Sequence, residues 1–142
     1  MRALLHVNVL IALHDQDHVH HGVAMRWLLG NMESGWASCP LTQNGCLRIM
    51  SQPGYPNAQP LSLLVTMLRD STSGPNHAFW PDDISTLDAS RFHHPHIHGS
   101  RQITDLYLLG LAVRHGGRLV TFDLRIAVSA VAGAQHTHLV LL

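Results

Sequence analysis

Residues 101–123 constrain this chain more than any other stretch. Leu106, Leu109, Ala112 and Val113 recur at helical period and predict a helix over Arg101–His115. Gly116-Gly117 then turns the chain directly into Arg118–Phe122, a short apolar strand that ends in Asp123. A helix start and a strand end joined this tightly can bring Asp105 and Asp123 to one edge of a parallel sheet, where α/β proteins place their chemistry. Paired carboxylates at such an edge suit a hard divalent cation such as Mg²⁺ or Mn²⁺, which takes oxygen ligands and keeps several waters.

The rest of the chain repeats the strand-to-helix form. Residues 2–7 read as a buried strand, with Asn8 as N-cap of a helix over Val9–Leu13. His18–Gly30 reads as an amphipathic helix, Trp36–Cys39 as a strand, and Pro40–Met50 as a helix. A turn-rich loop over Ser51–Asn57 leads to a helix over Leu61–Leu68. After a loop over Thr72–Pro75, Ile84–Leu87 reads as a strand, Asp88–Phe92 as a helical turn, and Thr137–Leu142 as the last strand. Strands alternating with helices imply a mostly parallel sheet covered on both faces. There is no internal repeat or linker, so residues 1–142 read as a single domain.

Composition narrows the function classes. With 46% hydrophobic residues and a formal charge of zero, the chain has the makings of an ordinary core and no broad electrostatic hold on nucleic acid. Every basic residue is Arg, and Glu33 is the only Glu. Cys39 and Cys46 are too few for a disulfide framework. No apolar run reaches the ~18–20 residues of a membrane helix. The start of the chain does not read as a secretory signal, and a reduced, cytoplasmic setting is the expectation. The histidine clusters at His18–His21 and His93–His98 read as loop and surface residues, because no closed set of zinc ligands accompanies them. Trp27, Trp36 and Trp80 read as core.

Five strings occur in a recognisable order: Leu4-Leu5-His6-Val7-Asn8-Val9-Leu10-Ile11-Ala12-Leu13, Trp36-Ala37-Ser38-Cys39-Pro40-Leu41-Thr42-Gln43-Asn44-Gly45, Leu47-Arg48-Ile49, Gln102-Ile103-Thr104-Asp105-Leu106-Tyr107-Leu108 and Leu119-Val120-Thr121-Phe122-Asp123. In these the chain resembles PIN-domain ribonucleases, and more narrowly the VapC toxins of bacterial toxin–antitoxin pairs. The resemblance implies an α/β/α sandwich around four or five mostly parallel strands. It also implies an acidic pocket that binds Mg²⁺ or Mn²⁺ and hydrolyses RNA, a cognate antitoxin as partner, and a homodimer. Such an ion lowers the pKa of a bound water and shields charge on the scissile phosphate. On this resemblance Asp105 and Asp123 are the metal ligands, Asn8 and Thr121 support them, and Arg48 and Arg101 are the residues expected to touch RNA phosphate.

The match departs at two places. The first-strand signature, Asp-x-Asn/Ser, reads His6-Val7-Asn8, and Gln43, Asn44 and Gly45 fill the second-strand position without a carboxylate. Three readings of His6 stand open: a damaged site in an intact fold, a ligand for a softer ion such as Mn²⁺, or a site without metal. The expectation is therefore a metal-dependent endoribonuclease toxin with activity impaired at His6. The alternative is a catalytically silent PIN module that keeps antitoxin binding and self-association.

Overall fold

The computed structural model describes all residues, Met1–Leu142. Its regular elements are β1 (Ala3–Leu5), α1 (Val7–His14), α2 (His21–Gly30), β2 (Trp36–Ser38), α3 (Pro40–Met50), α4 (Leu61–Thr72), β3 (His77–Phe79), α5 (Ile103–Arg114), β4 (Arg118–Thr121) and β5 (Leu139–Leu141). The strands form one five-stranded sheet in the order β3-β2-β1-β4-β5, and every pairing is parallel.

Side-chain alternation along the strands sorts the core into two layers. Leu4, Ala37 and Leu119 face α5, where they pack with Leu106, Leu109 and Ala112. Ala3, Leu5, Trp36 and Val120 face the other side, against Val9 and Leu10 of α1, Cys46 and Met50 of α3, and Leu64 and Leu68 of α4. Because both faces are covered, the central strands need apolar residues at successive positions, and β1 is buried throughout. The result is a three-layer α/β/α sandwich with a wholly parallel sheet.

The third strand lies elsewhere than the sequence suggests. It is His77–Phe79, paired with Trp36–Ser38, and not Ile84–Leu87. As an edge strand it buries little, with Phe79 54% exposed, so no apolar run marks it. Ile84–Leu87 lies outside the sheet: Ile84 packs against the α5-side core while Leu87 is 87% exposed. The first strand is also shorter than residues 2–7, because the chain turns into α1 at His6. His6, not Asn8, is the N-cap of that helix. His18–His20 precede α2 as turns, and α4 runs four residues beyond Leu68. The loop over Ser51–Asn57 is tied down by Asp15, whose buried carboxylate accepts hydrogen bonds from the Tyr55 hydroxyl and from Asn57 Nδ2.

The Gly116-Gly117 connection explains the tight return from α5 to β4. Gly116 has φ 65°, and the Gly117 N–H donates to Ala112 O while the Gly116 N–H donates to Val113 O. This is a Schellman C-cap, which needs a left-handed residue at the position Gly116 holds. A Cβ on Gly117 would stand 2.6 Å from both Arg2 O and Trp80 Cη2. That glycine is therefore required by the approach of β4 to the chain entering β1.

Two stability predictions follow from this packing. Gly117→Ala should cost about 1–3 kcal/mol through steric overpacking, measured by urea denaturation, whereas Gly74→Ala, with open space at its Cβ, should cost far less. Acidification supplies the other. Burial holds the His14 ring below its ordinary 6.5 despite its hydrogen bond with Leu10 O, and burial likewise lowers His77. The folded state then binds fewer protons than the unfolded chain, so this stabilisation is complete above about pH 6.5 and is lost as pH falls below it. The urea midpoint should drop between pH 7 and pH 5.5, and His14→Gln should flatten part of that dependence.

Candidate active site

The sheet order contains one switch point. The connection from β1 leads to β2 on one side, and that from β4 leads to β5 on the other, so a crevice opens at the carboxyl ends of β1 and β4. His6 leaves β1 there, its N–H donating to Val120 O at 3.0 Å. Thr121 ends β4, and Asp123 follows it. Asp105 approaches from the first turn of α5, where the helix dipole favours a carboxylate.

Asn8 and Thr121 fix the exit of β4. Asn8 Nδ2 donates to Thr121 Oγ1 at 3.3 Å, and its Oδ1 accepts the Phe122 N–H at 3.4 Å. The fully buried Thr121 hydroxyl oxygen also accepts the Asp123 N–H at 3.0 Å. Asp123 Oδ1 in turn accepts the Arg125 N–H at 2.9 Å. The amide of α1 thus sets the turn that carries Asp123. Its contribution here is a bridge between helix and strand, while helix capping has passed to His6.

His6 is fully engaged. Its Nδ1 accepts the Asn8 N–H at 3.2 Å, which requires the lone pair on Nδ1. Nε2 therefore carries the proton in the neutral ring, and it stands 2.7 Å from Asp105 Oδ1 as donor. The two side chains are 13% and 16% exposed. Neither ring nitrogen offers a free lone pair in this arrangement, so for His6 to ligate an ion Nε2 would have to give up its proton and its bond to Asp105. The imidazole instead reproduces the N-capping role of a carboxylate and spends its proton on the neighbouring acid.

Asp105 lies where two clefts meet. One, of about 680 Å³, is lined by His6, Leu41, Asn44, Arg48, Asp82 and Asp105, among others. The second, of about 410 Å³, has no hydrophobic lining residue and contains Asp105, Asp123, Arg101 and Arg125. Asp105 and Asp123 are thus brought to one cleft, with Arg101 beside them and Arg48 across Asp105. No group of three or more His, Cys, Asp or Glu side chains is placed to enclose a metal. Asp105 and Asp123 would hold a hard ion such as Mg²⁺ or Mn²⁺, which keeps several waters, and the donor set does not suit an all-protein cage.

The second-strand departure resolves into separate fates. Gln43 turns away, its Nε2 donating to Ser38 Oγ at 2.9 Å, beside His77. Asn44 faces the larger cleft. Gly45 lies against Val7, where a Cβ would meet Cγ2 at 2.8 Å, so α1 and α3 approach too closely there for a side chain. Asp82 also reaches this cleft and accepts the Leu41 N–H at 3.3 Å. Arg125 is the cleft residue that sequence reasoning missed; its only signal was its position two residues after Asp123. The histidine tracts contribute no metal cluster, and both cysteines are buried and free, with burial pushing the Cys46 thiol up to about 12.

Comparison with known proteins agrees with this fold. The PIN domain family model matches residues 3–132. The chain is 49% identical over 139 residues to Ribonuclease VapC44 of Mycobacterium tuberculosis, covering 98% of each protein. It is 42% identical over 134 residues to Ribonuclease VapC39 of the same species, covering 94% of this chain and 96% of that protein. Among solved structures, VapBC2 from Rickettsia felis bound to a promoter DNA fragment superposes with TM-score 0.59 at 13% identity, over 88% of this chain and 90% of that one. Mycobacterium tuberculosis VapC20, a Sarcin-Ricin loop cleaving toxin, superposes with TM-score 0.58 at 12% identity, over 85% and 89%. At such identities these two structures speak for the fold alone, whereas the family model and the two ribonucleases cover nearly the whole chain. The chain belongs to the PIN domain family and, within it, to the VapC type.

Proposed function

We propose that this protein is the endoribonuclease toxin of a toxin–antitoxin pair, dependent on Mg²⁺ or Mn²⁺ and attenuated by His6. The observation that carries the reading is the placement of Asp105 and Asp123 on one polar cleft at the switch point. The near-full-length likeness to proteins named as VapC ribonucleases supports it. A divalent cation bound by the two carboxylates supplies activation of water near neutral pH and shields the scissile phosphate. The chain's own part is to hold Asp123 through Thr121 and Asn8, and to orient Asp105 through the His6 proton.

His6 weakens such a site in two ways. It removes one formal negative charge from the position where the family pattern has a carboxylate, and it occupies Asp105 Oδ1 with a hydrogen bond. Hard cations prefer charged oxygen donors, so both changes lower ion affinity. The same bond favours the second reading, a silent module that retains only its protein contacts.

A partner surface belongs to either reading. Trp27 is only partly buried, and α4 buries Leu64 and Leu68 while Leu61 and Leu63 stay 55% and 53% exposed beside a groove of about 450 Å³. An antitoxin segment or a second copy of the chain would bury them.

His6→Asp separates the two functional readings. Aspartate is itself a good N-cap, so the fold should persist. Cleavage of RNA with Mg²⁺ should rise tenfold or more, equivalent to ~1.4 kcal/mol of transition-state stabilisation, and calorimetry should show tighter Mg²⁺ binding. If His6 exchanges its bond to Asp105 for an ion, activity of the unsubstituted chain should favour Mn²⁺, because imidazole suits it better than Mg²⁺. Equal Mg²⁺-supported rates for both forms would remove position 6 from the site; cleavage by neither would favour the silent module. Leu61→Glu with Leu63→Glu should weaken self-association in sedimentation, or capture of the cognate antitoxin, without moving the thermal midpoint by more than a few degrees.

A further inference from the structure

The arginines of this chain divide into two groups. Arg2 donates to Trp36 O and Asn76 O, Arg91 pairs with Asp88, Arg114 pairs with Asp83, and Arg118 donates to Asn31 Oδ1. Those four guanidinium groups are engaged in holding the fold. The other five, Arg26, Arg48, Arg69, Arg101 and Arg125, are exposed and make no hydrogen bond or ion pair through their side chains. Three of these five line the two clefts that meet at Asp105.

Arg101 and Arg125 stand out within that set. They come from different elements, one just before α5 and the other just after β4, yet both line the hydrophobe-free cleft that holds Asp105 and Asp123. Neither guanidinium lies within ion-pair distance of either carboxylate. Two acids and two arginines therefore share a cleft without neutralising one another. Such a set can take an anion on its arginines while the carboxylates remain open to a cation. The chain as a whole is formally neutral, so attraction to a polyanion must come from local contacts. A guanidinium fork matches the geometry of a phosphate diester, whose two free oxygens accept paired N–H donors.

We propose that Arg125, acting with Arg101, is a phosphate-binding residue that holds the backbone of a single-stranded RNA beside the Asp105–Asp123 pair. Arg48, across Asp105 in the neighbouring cleft, holds a second phosphate of the same strand. The bound backbone then runs over Asp105 from one cleft to the other. This assignment rests on the ribonuclease reading of the cleft, and it adds Arg125 to the two arginines that the resemblance already implies.

The test is binding of a fluorescein-labelled single-stranded RNA oligonucleotide, followed by anisotropy in EDTA so that no divalent cation supports cleavage. Each phosphate contact on a single strand contributes about 0.7 to the slope of log K against log salt concentration. Arg125→Ala and Arg101→Ala should each weaken binding and reduce that slope by about 0.7. Arg125→Lys should retain most of the slope, and Arg26→Ala, on α2, should leave it unchanged. All three residues are exposed, so the melting temperature of each variant should match that of the unsubstituted chain. A slope unchanged by Arg125→Ala, or reduced equally by Arg26→Ala, overturns the assignment while leaving the ribonuclease reading intact. Absence of RNA binding by the unsubstituted protein overturns both. An Arg125-dependent slope in a chain whose His6→Asp form cleaves no RNA supports the phosphate site and removes the enzymatic reading alone.

Discussion

Ala3, Leu4 and Leu5 pair in parallel with Arg118, Leu119 and Val120, and the cleft hangs from that short ladder. The pairing brings the carboxyl ends of two strands together although 113 residues separate Asn8 from Thr121. Chain direction then does the rest. One strand continues into α1 on its own side of the sheet, and the other loops toward β5, which leaves the crevice between them open. Without that register neither the Asn8–Thr121 bridge nor the seat of Asp123 would exist. The close contact of Gly117 with Arg2 O protects the same ladder at its opposite end.

His6, at the position where the resembled family pattern carries aspartate, leaves the local fold intact while changing the charge the cleft presents. A residue leaving a strand to begin a helix must satisfy an orphan N–H, and the imidazole lone pair of His6 does so for Asn8. Local folding therefore tolerates histidine as readily as aspartate. The ring differs in what it presents to the cleft: a proton for Asp105 in place of a second anionic oxygen. Two neighbouring carboxylates would repel each other when no cation is bound, whereas this pair attracts. On the proposed metal-dependent reading, that attraction would come at the expense of affinity for a divalent ion.

The functional side chains sit on elements of unequal rigidity. Thr121 is wholly buried, and the segment around Asp123 is held by three hydrogen bonds running from Asn8 through Thr121 to the turn. Arg101 and Arg125 occupy exposed positions at the mouths of loops. On the proposed reading, a buried support beneath an exposed, charged rim would fix the cleft geometry while letting long side chains adapt to a flexible strand of nucleic acid.

Much of this was legible in the residues alone. The period of Leu106, Leu109 and Ala112, the Gly116-Gly117 turn and the apolar run of Leu119 and Val120 each carry their own local physics, so α5, β4 and the parallel class of the sheet follow from sequence. So does the order of the motifs that identifies the family. Elements whose identity depends on neighbours were not legible. β3 is a strand because β2 offers it a ladder, and its half-exposed His77-Ala78-Phe79 carries no strand pattern of its own. The division of labour between His6 and Asn8, the turning away of Gln43, and the arrival of Asp82 and Arg125 at the cleft are likewise contacts across the chain. Sequence determined the chemistry available and the order in which it is threaded. Tertiary structure decided which donors face one another, because hydrogen-bond partners are chosen by position in space and not by spacing along the backbone.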